Sequence, residues 1–118
     1  IIIGTMDEKS KEVLLEIYKK FHGESMPPTL ITNPTNAELI KYANNVFLAT
    51  KVSFINMISQ MCQRLPNADV KIVAEGIGLD KRIGREFLNA GLGWGGSCFP
   101  KDVKAFLRFG EELGVKML

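Results

Sequence analysis

Apolar positions in this chain form one short run, one helical stripe and one long stretch that keeps to no single face. The run is Ile1-Ile2-Ile3, followed by Gly4-Thr5. A β-branched run this short predicts a buried parallel strand, which needs neighbours on both sides. The stripe is Val13, Leu14, Ile17, Tyr18 and Phe21. Lys9, Lys11, Glu12, Glu16, Lys19 and Lys20 fill the opposite face as solvated charge. Asp7 can cap this helix, which should run to about Phe21. His22 reads as a cationic helix end before Gly23, with no second ligand-type residue near it. Met26-Pro27-Pro28 leads into a second short strand, Thr29-Leu30-Ile31-Thr32. Strand, helix, strand is the pattern of the last unit of a doubly wound sheet.

The long stretch begins at Asn33-Pro34-Thr35-Asn36, where Asn33 or Thr35 can cap a helix and Glu38 stands at capping-box spacing from Thr35. No Gly or Pro follows until Pro66, so roughly 30 residues of helix should span about 45 Å. From Leu39 to Leu65 its apolar residues spread around the helix. A helix apolar nearly all round is buried on most sides. Little else in the chain can cover it, which predicts a homodimer joined along this helix. Lys41 and Asn45 share a face of it. They read either as a snorkelling lysine with a solvent-facing amide, or as a functional pair; spacing alone leaves both open. Beyond it the sequence predicts a helix from Ala68 to about Gly76 capped by Asn67, a polar turn over Gly78–Arg82 and a helical turn from Ile83 to Leu88. A glycine loop from Ala90 to Ser97 and a last helix from Pro100 to about Leu113 follow.

Composition narrows the classes. At 118 residues, 46% of them hydrophobic, the chain fits one ordinary domain with a real core. A net charge of +2 from 15 basic and 13 acidic residues gives no field that would favour nucleic acid or a membrane surface. No apolar run reaches membrane-spanning length and no signal peptide is present. Cys62 and Cys98 fit neither a disulfide framework nor a zinc site, and no metal is expected. They suit a reducing, cytoplasmic setting. Both ends of the chain, apolar and without an initiator Met, read as those of an internal piece of a larger protein.

The chemistry concentrates in Gly93-Trp94-Gly95-Gly96-Ser97-Cys98-Phe99-Pro100-Lys101-Asp102. Pro100 suits the first turn of a helix. Cys98 then sits at a helix N-terminus, a position that favours a thiolate, with Asp102 one turn on along the same face. A small buried cysteine after an ordinary turn is the competing reading. Cys62, inside an apolar helical run, reads as core.

Two blocks together resemble the UDP-glucose/GDP-mannose dehydrogenase family. One is Ala37-Glu38-Leu39-Ile40-Lys41-Tyr42-Ala43-Asn44-Asn45-Val46-Phe47-Leu48-Ala49. The other is Gly78-Leu79-Asp80-Lys81-Arg82-Ile83-Gly84, then Phe87-Leu88-Asn89-Ala90 and the cysteine motif. The resemblance implies a mainly α fold: a helical dimerisation and catalytic domain over 34–118, with one long central helix, similar to the C-terminal domain of 6-phosphogluconate dehydrogenase. Residues 1–33 would be the tail of an NAD-binding Rossmann-type domain. It implies oxidation of a sugar-nucleotide alcohol to a carboxylate with NAD, through a cysteine thiohemiacetal and thioester. A UDP-sugar is the expected substrate and GDP-mannose the alternative. Cys98 matches the nucleophile. Lys41 and Asn45 match the pair that stabilises the oxyanion and contacts substrate, and Asp102 the carboxylate that organises the lysine and the hydrolytic water. Arg82 matches an arginine that reaches substrate across the dimer. Phe87, Asn89, Ala90, Gly91, Leu92, Gly93 and Gly95 match the substrate wall, while Cys98 and Lys101 match residues near NAD. The G-x-G-x-x-G phosphate loop of the family is absent from this chain, which makes the chain inactive by itself. Trp94 stands where Tyr or Phe is usual, a change read as one of aromatic bulk. A helical dimerisation module without chemistry is the reading from a different class.

Overall fold

The computed structural model describes residues 1–115; Lys116, Met117 and Leu118, part of the apolar terminus noted above, lie outside the described residues. The described chain is mainly helical with one small parallel sheet. It divides into two compact units, Ile1–Tyr42 and Ala43 onward.

In the first unit, β1 (Ile2–Gly4) pairs in parallel with β2 (Leu30–Thr32), Ile3 opposite Ile31. Ile3 is buried, as its place in a β-branched run predicts. A Cβ on Gly4 would lie 2.7 Å from the Ala37 Cβ and 2.9 Å from the Pro34 Cα, so only glycine lets the next helix pass this close. Between the strands runs α1 (Glu8–His22). Asp7 caps it as expected: its carboxylate accepts from the Ser10 N–H at 2.8 Å and from the Ser10 hydroxyl at 2.7 Å. These two bonds, the backbone one first, hold the Asp7 carboxyl below its usual range. Among the described residues nothing buries the α1 stripe: the helix has no buried residue, and Phe21 is 82% exposed.

The long helix α2 (Pro34–Cys62) has 29 residues, close to the expected length. Asn33 is its cap, with Oδ1 accepting from the Asn36 N–H at 2.8 Å. The Thr35–Glu38 capping box does not form, because Pro34 already takes the first helical position and places Thr35 inside the helix.

The second unit holds the rest of α2, then α3 (Val70–Gly78) and α4 (Phe99–Glu112). Asp69, not Asn67, caps α3, accepting from the Lys71 N–H at 2.7 Å. Asn67 sits at φ 62°, a turn conformation rather than the extended one a cap needs. The segment 83–88 is not the helical turn expected of it. Gly84 at φ 67° and Phe87 at φ 63° break it into successive turns. Ile55 of α2, Ala74 of α3 and Leu88 of those turns form the core, with Ile58, Val70, Ile77 and Ala90 packed around them.

The apolar surface of α2 is more ordered than its sequence suggests. Ala49 and Ile55 are its buried residues, while Phe47, Phe54, Met57 and Met61 are exposed. Phe47, Phe54 and Met61 recur every seventh position with Met57 between them, the spacing of a coiled-coil seam. The helix therefore has a core face and a separate uncovered stripe, and Ile55 belongs to the first. No described helix is long and apolar enough to cross a membrane.

Candidate active site

The start of α4 carries the candidate residues Cys98, Lys101 and Asp102. Pro100 occupies the first turn, where its missing N–H leaves no orphan, and the Asp102 N–H bonds the Cys98 carbonyl at 2.9 Å. Cys98 is thus the residue on which the helix opens. Its thiol is exposed, 3.7 Å from the Ser97 hydroxyl, and it caps no backbone N–H. Asp102, one turn on, is fully buried. A carboxylate in that position is tolerated only when its oxygens are paired. Oδ2 accepts from the Asn45 amide at 2.7 Å and Oδ1 from the Lys101 ammonium at 2.5 Å. Asp102 is thus turned inward and not into solvent. It lies beneath the site and fixes the Asn45 side chain, joining α2 to α4.

Lys41 lies in the first unit, with its ammonium 4.8 Å from the centre of the Tyr42 ring. Arg82 grips Asp80 with Nε and Nη2, the shortest of these contacts being 2.6 Å, and is otherwise widely exposed. The guanidinium holds the Asp80 carboxyl below its usual range, and Asp80 in turn raises Arg82. Asn89 accepts from Arg85 at 2.9 Å, and Arg85 also donates to Glu75 at 2.6 Å, tying α3 to the loop. Phe87 and Trp94 each meet the Phe99 ring edge-on, with centroids 6.4 Å apart. Ala90 packs against the core, and Leu92 projects fully into solvent.

Gly91, Leu92, Gly93 and Trp94 line an open cavity of about 510 Å³ with Ser53, Asn56, Met57 and Gln60 of α2. Asn56 accepts from the Gly91 N–H at 3.0 Å, and Ser53 accepts from the Trp94 indole N–H at 2.8 Å. Lys51 donates to the carbonyls of Ile83 and Gly84 at 2.9 and 3.3 Å. These contacts were not expected from the sequence. Their signal was there: Ser53, Asn56 and Gln60 fall at helical spacing, a polar strip on a largely apolar helix. Trp94 does more here than fill space, since its indole N–H is given to Ser53.

The described residues do not form a dinucleotide cradle. The N-terminus of α1 is taken by the Asp7 carboxylate with Glu8 in the first turn, a combination that repels a pyrophosphate. Cys98 and Lys101 alone do not supply one, and the Lys101 ammonium is paired with Asp102. Among the described residues no group of three His, Cys, Asp or Glu side chains could hold a metal ion.

On this helical scaffold an exposed cysteine opens a helix that also carries a buried carboxylate tied to the amide of a long helix. Residues 35–118 match the central domain of the UDP-glucose/GDP-mannose dehydrogenase family, and the chain belongs to that family. It is 50% identical over 113 residues to the UDP-glucose 6-dehydrogenase TuaD of Bacillus subtilis, covering 96% of this chain and 23% of that protein. Against the UDP-glucose 6-dehydrogenase YwqF of the same organism it is 52% identical over 108 residues, covering 92% and 23%. A UDP-glucose dehydrogenase structure from the hyperthermophilic archaeon Pyrobaculum islandicum superposes with a TM-score of 0.89 at 52% identity, covering 98% of this chain and 26% of that one. The chain thus spans about a quarter of the length of the relatives it matches.

Proposed function

We propose that this protein is an NAD-dependent UDP-glucose 6-dehydrogenase, converting UDP-glucose to UDP-glucuronate, and that this chain carries the covalent part of the chemistry. The observation that supports it most is the Asn45–Asp102 bond beneath an exposed Cys98. NAD, held by residues other than those described, supplies the oxidising equivalents. The steps that belong to this chain are the thiol's. Sγ of Cys98 attacks the aldehyde carbon, and the carbonyl oxygen takes a proton to give a thiohemiacetal. Once that is oxidised to the thioester, water adds to the carbonyl, the tetrahedral oxyanion collapses, and the thiolate leaves a carboxylate. The oxyanion needs preorganised donors. The Asn45 amide has two hydrogens and gives one to Asp102; the other is its contribution to the oxyanion. Lys41 supplies the charge. In this reading Arg82 and the loop from Phe87 to Gly95 contact the sugar nucleotide, and Lys101 lies near NAD. The 118-residue chain alone is inactive, because it lacks the dinucleotide cradle.

The Phe47–Phe54–Met57–Met61 stripe supports a homodimer through α2. Monomers rarely leave a continuous apolar stripe in water, and a two-fold axis covers it symmetrically. Free thiols at Cys62 and Cys98 suit the cytoplasm. The test of the activity is Cys98→Ser in the full-length enzyme: UDP-glucuronate formation should stop, and normal production would remove Cys98 from the mechanism.

A further inference from the structure

The glycines of the loop have open space on their side-chain side. A Cβ built on Gly91, Gly93, Gly95 or Gly96 would meet nothing within 4 Å, and Gly93 and Gly96 take φ values of 106° and 79°. Such a segment has many conformations open to it, yet Cys98 follows directly. What fixes it comes from α2. Asn56 spends its Nδ2 on the Val52 carbonyl at 2.9 Å, which turns Oδ1 toward the loop, where it accepts from Gly91 at 3.0 Å. One helical turn away, Ser53 accepts from the Trp94 indole at 2.8 Å. The Trp94 ring stands at 89° to the Phe99 ring, and Phe99 is joined to Cys98.

We infer that Ser53 and Asn56 are positioning residues, pinning the two ends of the Gly91–Trp94 segment so that Trp94 and Phe99 present the Cys98 thiol in one place. The inference rests on the reading of Cys98 as the nucleophile. The Ser53 bond uses the indole N–H of Trp94.

The test uses the full-length enzyme. Ser53→Ala and Trp94→Phe each remove one side of the same bond. Each should lower kcat about five- to tenfold, the ratio that one modest hydrogen bond controls, with any rise in KM smaller than that loss. The double variant should be no worse than either single one, and Ser53→Thr, which restores the hydroxyl, should recover most of the turnover. Asn56→Ala should lower kcat in the same way. The indole N–H resonance of Trp94, assigned by its loss in Trp94→Phe, should shift in Ser53→Ala but not in Ser53→Thr. Additive losses, an equal loss in Ser53→Thr, or unchanged kcat in Ser53→Ala would overturn the inference. Turnover by Cys98→Ser would overturn the reading of the nucleophile instead, and the indole shift would still report on the bond.

Discussion

The Asn45 amide and the Asp102 carboxylate, 57 residues apart in sequence, meet in a 2.7 Å hydrogen bond with the carboxylate wholly buried. Replacing Asp102 with Ala removes the acceptor from both Asn45 and Lys101. Unfolding in urea should show a loss of about 1–3 kcal/mol, the cost of leaving the half-buried Asn45 amide without this acceptor. In the full-length enzyme kcat should fall more than KM rises, since Asn45 loses its orientation. A variant as stable as the wild type would show that the bond carries little.

Ile55 and Phe54 are neighbours in sequence with opposite surroundings, 0% and 43% exposed. Ile55→Ala should cost about 2–5 kcal/mol in a denaturant titration, as cavities in packed cores do. Phe54→Ser should leave the fold near wild-type stability and weaken self-association in sedimentation runs. Loss of folding with Phe54→Ser, or unchanged association, would count against the seam.

Gly78 leaves no room for a methyl group, whose carbon would lie 3.0 Å from the Arg85 Cα. Gly78→Ala should therefore lose about 1–3 kcal/mol, although alanine is the better helix former. A thermal melt at or above that of the wild type would show that the backbone at Arg85 can yield.

The cap on α1 should titrate. The Asp7 carboxyl is lowered in the folded chain, first by the Ser10 N–H and then by its hydroxyl. Its contribution is therefore complete above the unfolded value of about 3.9 and disappears as pH falls through the lower folded one. Far-UV circular dichroism should show α1 fraying at the acid end of that window. Asp7→Asn keeps a capping oxygen and should lose that pH dependence.

Cys98 and Cys62 should separate under alkylation, because one thiol is exposed and the other half-buried in α2. Mass spectrometry after a short iodoacetamide pulse should find Cys98 modified first. Equal labelling would show that the α2 surface around Cys62 opens readily.

What the sequence disclosed was local. Asp7 before a charged, amphipathic stretch announced α1, and the β-branched runs announced β1 and β2, because caps and strands are specified by neighbours in the chain. The cysteine, its helix and Asp102 were legible for the same reason. The burial of Asp102 was not, since it depends on a partner in α2. Ser53 and Asn56 looked like ordinary polar positions until the loop was placed against them. The cap of α3 was misplaced because Asn67 and Asp69 are equally good capping residues on paper, and only the backbone at Asn67 decides. Ile55 and Phe54 were indistinguishable as apolar residues, because the face each occupies is set by α3 and the turns after it.

Phe87 illustrates a conflict between robustness and use. Its backbone sits at φ 63°, which a bulky residue adopts only under strain, while its ring meets Phe99 next to the cysteine. Glycine would relax that backbone and take away the ring. Selection for thermal hardiness alone would therefore favour Gly at this position and leave Phe99 with one aromatic neighbour fewer. Any consensus-minded or stability-driven redesign of the chain should leave Phe87 alone.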